Sequence, residues 1–181
     1  MVKNRGKQFE DVIRKAFQKV SNVSIDRLPD QTTRYKGSSN HCDFIVYRMP
    51  HEYHIECKSV HGNTLSIHSV PKPDKNGILH GFYGNISDAQ WEGLLEKSKI
   101  DGVFAGVLCW WIDKDVTMFM PIQFLQACRD AGDKSVRYDC LGFEDKDKQI
   151  FNVELTGRKK RVFFDYDMEV FLDELSDTGN T

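Results

Sequence analysis

The sequence predicts an α/β fold in which a mixed central β-sheet is flanked by helices. Three features indicate this class: an amphipathic helical pattern near the start, a pair of strand-like segments joined by a turn, and two strongly apolar runs further along the chain. Continuous apolar strands combined with helical patterns are typical of a sheet covered on both faces. At 181 residues, with 40% hydrophobic and 29% charged residues, the chain fits one domain with a sizeable core.

Cysteine usage and hydropathy indicate a cytoplasmic protein. The chain has five cysteines, an odd number without a C-x-x-C pair, which argues against a disulfide framework and fits a reducing compartment. No apolar run reaches the roughly 18 residues that a membrane-spanning helix needs, and the polar N-terminal stretch does not have the pattern of a signal peptide. We therefore expect a cytoplasmic protein without a membrane partner.

Charge is distributed unevenly along a chain whose net charge is only −2. Residues 1–40 carry nine lysines and arginines against four acids, a net charge of +5, whereas six acids and no base follow Arg161. A basic N-terminal region can form a phosphate-binding face. Charged runs are also typical of an ordinary solvated surface, and charge alone does not separate the two interpretations.

Residues 5–20 have the apolar periodicity of an amphipathic helix. The stripe recurs at i, i+3, i+4, i+7, i+8 and i+11 and consists of Phe9, Val12, Ile13, Ala16, Phe17 and Val20. Glu10 lies beside this stripe, and considered alone it is a surface carboxylate that pairs with Arg14 four residues later. A short strand at 23–28 and a polar loop at 29–40 follow.

The centre of the predicted sheet is a β-hairpin that runs from Asp43 to Lys58. Residues 44–47 and 53–55 are rich in β-branched and aromatic side chains, and residues 49–52, which include a proline, supply the turn. Asp43 and Lys58 therefore stand at the open end of two paired strands.

The register of this hairpin decides which side chains share a face, because a slip of one residue turns a whole strand over. With Arg48 paired to Tyr53 across a four-residue loop, Asp43 pairs with Lys58, and Glu56 lies diagonally from Asp43 on the same face. Diagonal neighbours lie about 7–8 Å apart, so two inward carboxylates can share one metal ion. A loop of odd length would place them on opposite faces of the sheet.

These residue types fit a magnesium site. Mg²⁺ is a hard cation that takes carboxylate and carbonyl oxygens together with water, so Asp43, Glu56 and the backbone carbonyl of Cys57 form a plausible set of ligands, for which Mn²⁺ can substitute. The metal would lower the pKa of a bound water and screen charge on a scissile phosphate. Lys58 can orient that water or neutralise charge on the phosphorane. Together these groups predict phosphodiester hydrolysis.

A zinc site is the alternative in the same stretch. His51, His54, Cys57 and His61 have short spacings, and imidazole and thiolate are the ligands that zinc prefers. Strand alternation, however, places His54 and Cys57 on opposite faces, and no second ligand pair follows. The magnesium interpretation is therefore favoured.

Asp43 followed by Glu56-Cys57-Lys58 resembles the D…ExK motif of the PD-(D/E)xK nuclease superfamily. Residues 4–10 resemble the opening helix of its Holliday junction resolvases, the RecU type first and the archaeal type second, and the resemblance covers roughly residues 4–125. It implies a restriction-endonuclease-like core and an Mg²⁺-dependent endonuclease that acts as a homodimer on four-way DNA junctions. It also implies a bacterial or phage source.

The resemblance assigns roles to further residues. Glu10 would complete the acidic cluster or hold a second metal, and Gln90 would support the active-site lysine or the attacking water. The loop at 29–40 would contact DNA through phosphate-binding, stacking and small polar side chains. The expected DNA contacts are Arg5, Lys7, Arg34, Tyr35, Lys36, Ser38 and Ser39. The long stalk that RecU-type enzymes carry before the aspartate is absent or very short here.

Residues after the hairpin complete the sheet and its helical cover. Residues 61–85 are loop-like, and Ser87 caps a helix that runs through about residue 99. Apolar strands at 102–111 and 116–122 are expected to be buried on both faces.

Two further predictions concern this apolar region. The tryptophan pair Trp110 and Trp111 is expected in the core or at a dimer interface rather than as a base-stacking platform. A helix at 121–128 begins with proline in its first turn.

The C-terminal part of the chain is predicted to be an appendage of the same domain. We expect a nuclease core over residues 1–130 and the appendage over 131–181. The appendage contains strands at 150–155 and 162–164, a basic turn between them, and a final helix at 168–175, which are all read from the sequence pattern.

Two other functions remain open from the sequence. The first is a restriction-type or repair nuclease of the same superfamily that acts on duplex or single-stranded DNA. The second is a non-catalytic DNA-binding protein with a nuclease-like fold, although the intact set of Asp43, Glu56, Lys58 and Glu10 argues against decay of an active site.

Overall fold

The computed structural model describes residues 5–29, 40–68, 71–73, 76–82, 84–145, 148–161 and 163–178. The helices are α1 (Arg5–Phe17), α2 (Asp88–Lys97), α3 (Ile122–Asp130) and α4 (Met168–Thr178). The strands are β1 (Ser24–Arg27), β2 (Phe44–Arg48), β3 (His51–Val60), β4 (Thr64–Ser66), β5 (Pro71–Pro73), β6 (Leu79–Phe82), β7 (Val103–Trp111), β8 (Val116–Pro121), β9 (Ser135–Arg137), β10 (Gly142–Asp145), β11 (Lys148–Phe151), β12 (Val153–Glu154), β13 (Gly157–Lys159) and β14 (Phe164–Tyr166).

A six-stranded mixed sheet of order β1-β2-β3-β7-β8-β12 forms the centre of the fold. Its neighbours pair antiparallel except β3 and β7, which are parallel. A parallel pair needs a long crossover, and here the crossover contains α2. The predicted α/β class with a mixed sheet flanked by helices is confirmed, and the order is consistent with a restriction-endonuclease-like core.

Each face of the sheet is covered by its own apolar cluster. One cluster joins α1 and α4 to Phe44, Ile55 and Leu108, and the other joins α2 and α3 to Val107, Cys109 and Met120. Side chains alternate between these clusters along the strands because successive residues of a strand point to opposite faces. Trp110 and Trp111 are buried in one cluster each, so their predicted core position is confirmed.

Helix α1 buries the predicted stripe but ends earlier than its periodicity indicates. Phe9, Ile13 and Phe17 are fully buried, whereas the prediction extended the helix to Val20. After the helix, backbone hydrogen bonds join residues three apart, as from Val20 N to Phe17 O, and form a turn. Asn22 then adopts a φ of 58°. Val20 still packs against the core from this turn, which explains why it continues the apolar pattern.

The hairpin register differs from the prediction by two residues. Arg48 pairs with His51 across a two-residue turn, instead of with Tyr53 across four residues. Strand β3 begins earlier because its other edge is also paired: Glu52 N donates to Gly102 O, and β7 runs beside β3 from this point on. Both loop lengths are even, so the predicted assignment of side chains to faces survives the shift.

The later elements agree with the predictions in type and differ in detail. Ser87 caps α2 as predicted, and Pro121 is the residue that precedes α3. The segment predicted as a loop at 61–85 contains the short strands β4 to β6, of which β4 pairs with β9. None of the helices in the described part of the chain is long and apolar enough to cross a membrane.

Residues after 131 contribute to the central sheet and to its core. Strand β12 pairs with β8 as the sixth strand, and α4 buries Met168, Phe171, Leu172 and Leu175 against the α1 side of the sheet. The predicted strand at 150–155 is divided between β11 and β12, and the predicted strand at 162–164 lies slightly later, as β14.

Candidate active site

Glu56 is the most buried carboxylate of the candidate site. It lies on β3, and only 3% of the residue is exposed. Its Oε1 atom is 2.6 Å from Lys58 Nζ and accepts a hydrogen bond of 2.5 Å from Gln90 Nε2. Its Oε2 atom is also buried, yet this atom has no hydrogen-bond partner among the described residues. One carboxylate oxygen is therefore held by the protein, and the other is left for a ligand.

Gln90 reaches this carboxylate because of its position in the first turn of α2. Ser87 and Gln90 form a capping box, in which the Ser87 side chain accepts from Gln90 N and the Gln90 Oε1 accepts from Ser87 N. The same amide donates through Nε2 to Glu56 and accepts a longer contact of 3.4 Å from Lys58 Nζ. The helix cap and the site thus share one side chain.

Asp43 is held by the backbone on both sides. Its carbonyl accepts from Leu28 N at 2.9 Å, its amide donates to Ile55 O at 3.1 Å, and its Oδ2 accepts from Cys57 N at 2.8 Å. The Cys57 amide therefore lies against Asp43, and the role of the Cys57 carbonyl as a metal ligand stays a prediction.

Glu10 approaches the site from α1. Its Oε2 is 2.6 Å from Arg27, and its side chain is 16% exposed. The pairing with Arg14 that the helix pattern alone indicates does not form, because Arg14 contacts Asp11 instead. Glu10 is among the groups that raise the pKa of Asp43, which places it within electrostatic reach of that carboxylate.

The charged forms of the carboxylates in this site are destabilised by burial and by each other. Burial, together with the smaller effect of the Asp43 charge, raises the pKa of Glu56 to about 7, although Lys58 and the hydrogen bond from Gln90 oppose this shift. Burial also raises the pKa of Asp43; Glu10 adds to this shift, while the Cys57 amide, Lys58 and Arg27 oppose it.

A divalent cation would offset this destabilisation. It would compensate the clustered negative charge and would bind Glu56 Oε2, which none of the described residues contacts by a hydrogen bond. The oxygen donors present are those that Mg²⁺ and Mn²⁺ prefer. The residues therefore fit the predicted metal.

The structure brings Glu10, Asp43, Glu56, Lys58 and Gln90 into one region, and the backbone amide of Cys57 donates to Asp43. Arg5 and Lys7 lie on α1. The predicted contacts Arg34, Tyr35, Lys36, Ser38 and Ser39 lie outside the described residues. Arg27 was not predicted, and its position on a separate strand gives no sequence signal for its ion pair with Glu10.

A basic groove runs beside α1. It encloses about 930 Å³, and its lining includes Arg5, Lys15, Lys19, Lys160 and Arg161. Asp165 also lies in the groove and pairs with Lys19 and with Lys160. The groove brings bases of α1 and of the turn after it together with Lys160 and Arg161, whereas Arg158 and Lys159 of the predicted basic turn belong to β13.

The four residues of the zinc alternative do not converge. The side chains of His54 and Cys57 lie on opposite faces of β3, as strand alternation predicts. His51 packs edge-on against Tyr53 and Phe104, and His61 binds Asp113. His54 instead meets His41 and Cys42, two residues that the spacing of the motif did not single out.

Comparisons with known proteins give a structural similarity but no sequence match. No family model matches the chain, and no curated protein matches it. The chain is similar to the solved structure of Hjc from Archaeoglobus fulgidus, a Holliday junction resolvase from an archaeal hyperthermophile. The match has 16% identity and a TM-score of 0.40, and it covers 82% of this chain and 88% of that chain.

Proposed function

We propose that this protein is an Mg²⁺-dependent, structure-selective DNA endonuclease, and specifically a Holliday junction resolvase that acts as a homodimer. The observation that carries the proposal is the buried Glu56, whose Oε1 is held by Lys58 and Gln90 while Oε2 has no partner among the described residues. Asp43 directly precedes the neighbouring strand β2, and its backbone and carboxylate are bound to Ile55 and Cys57 on either side of Glu56 in the sequence. Carboxylates paired with a lysine in this way are suited to metal-assisted phosphodiester hydrolysis.

The residues have separate roles in this proposal. Asp43, Glu56 and the Cys57 carbonyl would hold the metal, and Glu10 would add negative charge or hold a second ion. The bound metal supplies a water of lowered pKa and screens negative charge on the phosphate. Lys58 donates hydrogen bonds to the attacking water or to the charged phosphate oxygens, and Gln90 keeps both Lys58 and Glu56 in place.

The basic groove supports DNA as the substrate. Its lysines and arginines can neutralise phosphates without reading the base sequence, which suits an enzyme that selects a DNA shape. A four-way junction is resolved by two matched nicks, and one chain offers one site, so we propose a homodimer.

A nuclease with the same site but a different substrate is the second candidate. The sequence has at most a very short version of the stalk of RecU-type enzymes, and this departure favours duplex or single-stranded DNA as the alternative substrate. A non-catalytic DNA-binding protein is less well supported, because the complete set of site residues is present, Glu56 contacts Lys58 and Gln90, and Asp43 is bound to the Cys57 amide of the same strand.

The test is cleavage of a labelled synthetic four-way junction beside linear duplex of the same sequence, with Mg²⁺ or with EDTA. Paired symmetric nicks that require Mg²⁺ and disappear in Asp43→Ala are expected. Equal cutting of the linear duplex would replace the resolvase with the second candidate. DNA binding without cleavage, whichever divalent metal is supplied, would support the non-catalytic alternative.

A further inference from the structure

A second cluster of metal-binding side chains lies beside the candidate active site. His41 and Cys42 precede β2, and His54 lies on β3; one ligand atom from each lies within 4.8 Å of the other two. His41 Nε2 is 2.7 Å from His54 Nδ1, and Cys42 Sγ is 3.9 Å from the same nitrogen. Cys42 and His54 are 2% and 1% exposed. Two imidazoles and a thiol therefore converge at a mostly buried point.

Glu52 determines which nitrogen of His54 faces this point. His54 Nε2 is 2.5 Å from Glu52 Oε1, and an ionised carboxylate can only accept a hydrogen bond, so Nε2 carries the hydrogen and donates it. In the neutral ring, Nδ1 then presents a lone pair toward His41 and Cys42. Metal-binding histidines usually donate their other ring nitrogen to a carboxylate in this way.

We propose that His41 Nε2, Cys42 Sγ and His54 Nδ1 bind Zn²⁺, with Glu52 orienting the His54 ring. Zinc prefers nitrogen and sulfur ligands and binds them at about 2.0–2.3 Å in tetrahedral geometry. Such ligand atoms lie about 3.3–3.7 Å from each other, so the two nitrogens would separate slightly from their present 2.7 Å. The fourth position would be taken by water or by a nearby side chain.

Gly93 of α2 leaves the space that His41 occupies beside the helix. A Cβ built on Gly93 would lie 2.3 Å from His41 Cβ, so only glycine lets the histidine sit this close to the helix. Without metal, the two facing nitrogens are explained by one hydrogen bond from His41 Nε2 to His54 Nδ1. That hydrogen bond leaves the convergence of the Cys42 thiol unexplained, and the thiol is what separates the two interpretations by experiment.

This site differs from the magnesium site in its chemistry. The active-site donors are oxygens, whereas the second cluster offers nitrogen and sulfur, which select zinc over magnesium. Cys42 directly precedes Asp43, and His54 is two residues before Glu56 on the same strand. A zinc ion there would tie the start of β2 to β3 and would hold Asp43 at the correct distance from Glu56.

The test is metal binding by the full chain after treatment with a chelator, with Co²⁺ as the spectroscopic probe and Zn²⁺ as the competitor. One equivalent of Co²⁺ is expected to give a cobalt-thiolate charge-transfer band, which Zn²⁺ then abolishes. Cys42→Ser should lose the band, and Cys140→Ser, which changes a cysteine outside the cluster, should keep it. Absence of the band, or a band unchanged in Cys42→Ser, would overturn the proposal.

Two further variants separate zinc binding from folding and from the magnesium site. Glu52→Gln should weaken zinc affinity by about 10–100-fold while the three ligands remain. His41→Ala, which removes the half-buried ligand, provides the ligand test if Cys42→Ser does not fold. Glu56→Gln should keep the cobalt-thiolate band, and a metal signal that is lost in this variant but retained in Cys42→Ser would assign the metal to the carboxylates and contradict the proposal.

Discussion

Gln90 Nε2 donates a hydrogen bond of 2.5 Å to Glu56 Oε1, and the same side chain closes the capping box of α2 through Ser87. The start of the helix and the buried carboxylate are therefore coupled through one amide. The position of Gln90 is defined from both sides, and this fixes which oxygen of Glu56 remains available.

Replacing this amide should separate its two roles. Gln90→Glu keeps an acceptor for Ser87 N but places a second carboxylate against Glu56, so cleavage should fall by about 10²-fold or more while helix capping is retained. Cleavage rates and denaturant unfolding of the same preparations are the measurements.

Ser87→Ala is the matched control for that variant. It removes the cap and should cost about 1 kcal/mol of unfolding free energy, with cleavage close to wild type because Gln90 still reaches Glu56. A larger loss of cleavage in Ser87→Ala than in Gln90→Glu would contradict the role assigned to Gln90.

The stability of the metal-free protein should decrease as pH rises from about 4.5 to above 7. Burial raises the pKa of Glu56 to about 7 from its ordinary 4.5, so folding favours the protonated form, and its stabilising contribution is lost as pH rises through the folded-state pKa. The loss is at most about 3 kcal/mol. Denaturant unfolding in EDTA at a series of pH values measures it.

Glu56→Gln isolates this contribution. Burial lowers the pKa of His41 and of His54, which makes stability rise with pH through the histidine range and partly masks the effect of Glu56. The difference between wild type and Glu56→Gln removes these shared terms. Parallel stability profiles for the two proteins would contradict the assignment, and Mg²⁺ should raise wild-type stability most above pH 7.

Asp43→Asn should abolish metal-dependent cleavage without unfolding the protein. The asparagine keeps an oxygen that can accept from Cys57 N, but it loses the charge that holds the metal, so cleavage should fall by about 10³-fold or more. Calorimetric titration with Mg²⁺ or Mn²⁺ and cleavage assays measure this. Asp26→Asn, an exposed aspartate on β1, is the matched control and should behave as wild type.

Removing a basic side chain from the groove should weaken DNA binding and should also make that binding less dependent on the salt concentration. Arg161→Ala and Arg5→Ala are each expected to lower affinity uniformly across sequences and to reduce the slope of log affinity against log salt by about one. Fluorescence anisotropy at several salt concentrations measures this. Lys99→Ala, which changes an exposed lysine outside the groove, should leave the slope unchanged.

The two hairpin strands and the facing of their side chains could be predicted, although the turn length could not. The β-branched residues indicate strands, and parity alone puts Asp43 and Glu56 on one face for any even loop. The choice between two and four loop residues depended on β7, which pairs with β3 from Glu52 onward. That partner is about fifty residues away in the sequence, and no local pattern near the turn refers to it.

The zinc ligands and the ion pair of Glu10 were beyond the reach of local patterns for a related reason. His41, Cys42 and His54 come from the two sides of a hairpin and meet beside α2, whereas the spacing of His51, His54, Cys57 and His61 indicated a set that the strand divides between its faces. Arg27 reaches Glu10 from a different element. Contacts of this kind depend on how elements pack.

Periodicity, capping residues and residue chemistry were sufficient to predict the α/β class, α1, the cap of α2, the buried strands and the carboxylate-lysine motif, because each depends on interactions within one or two neighbouring elements. Packing of the sheet against its helices decided the register of the hairpin, the burial of the Glu56 carboxylate, its hydrogen bond from Gln90 and the cluster at His41. These features are set by distances between elements that are far apart in the chain, and only the folded backbone establishes those distances.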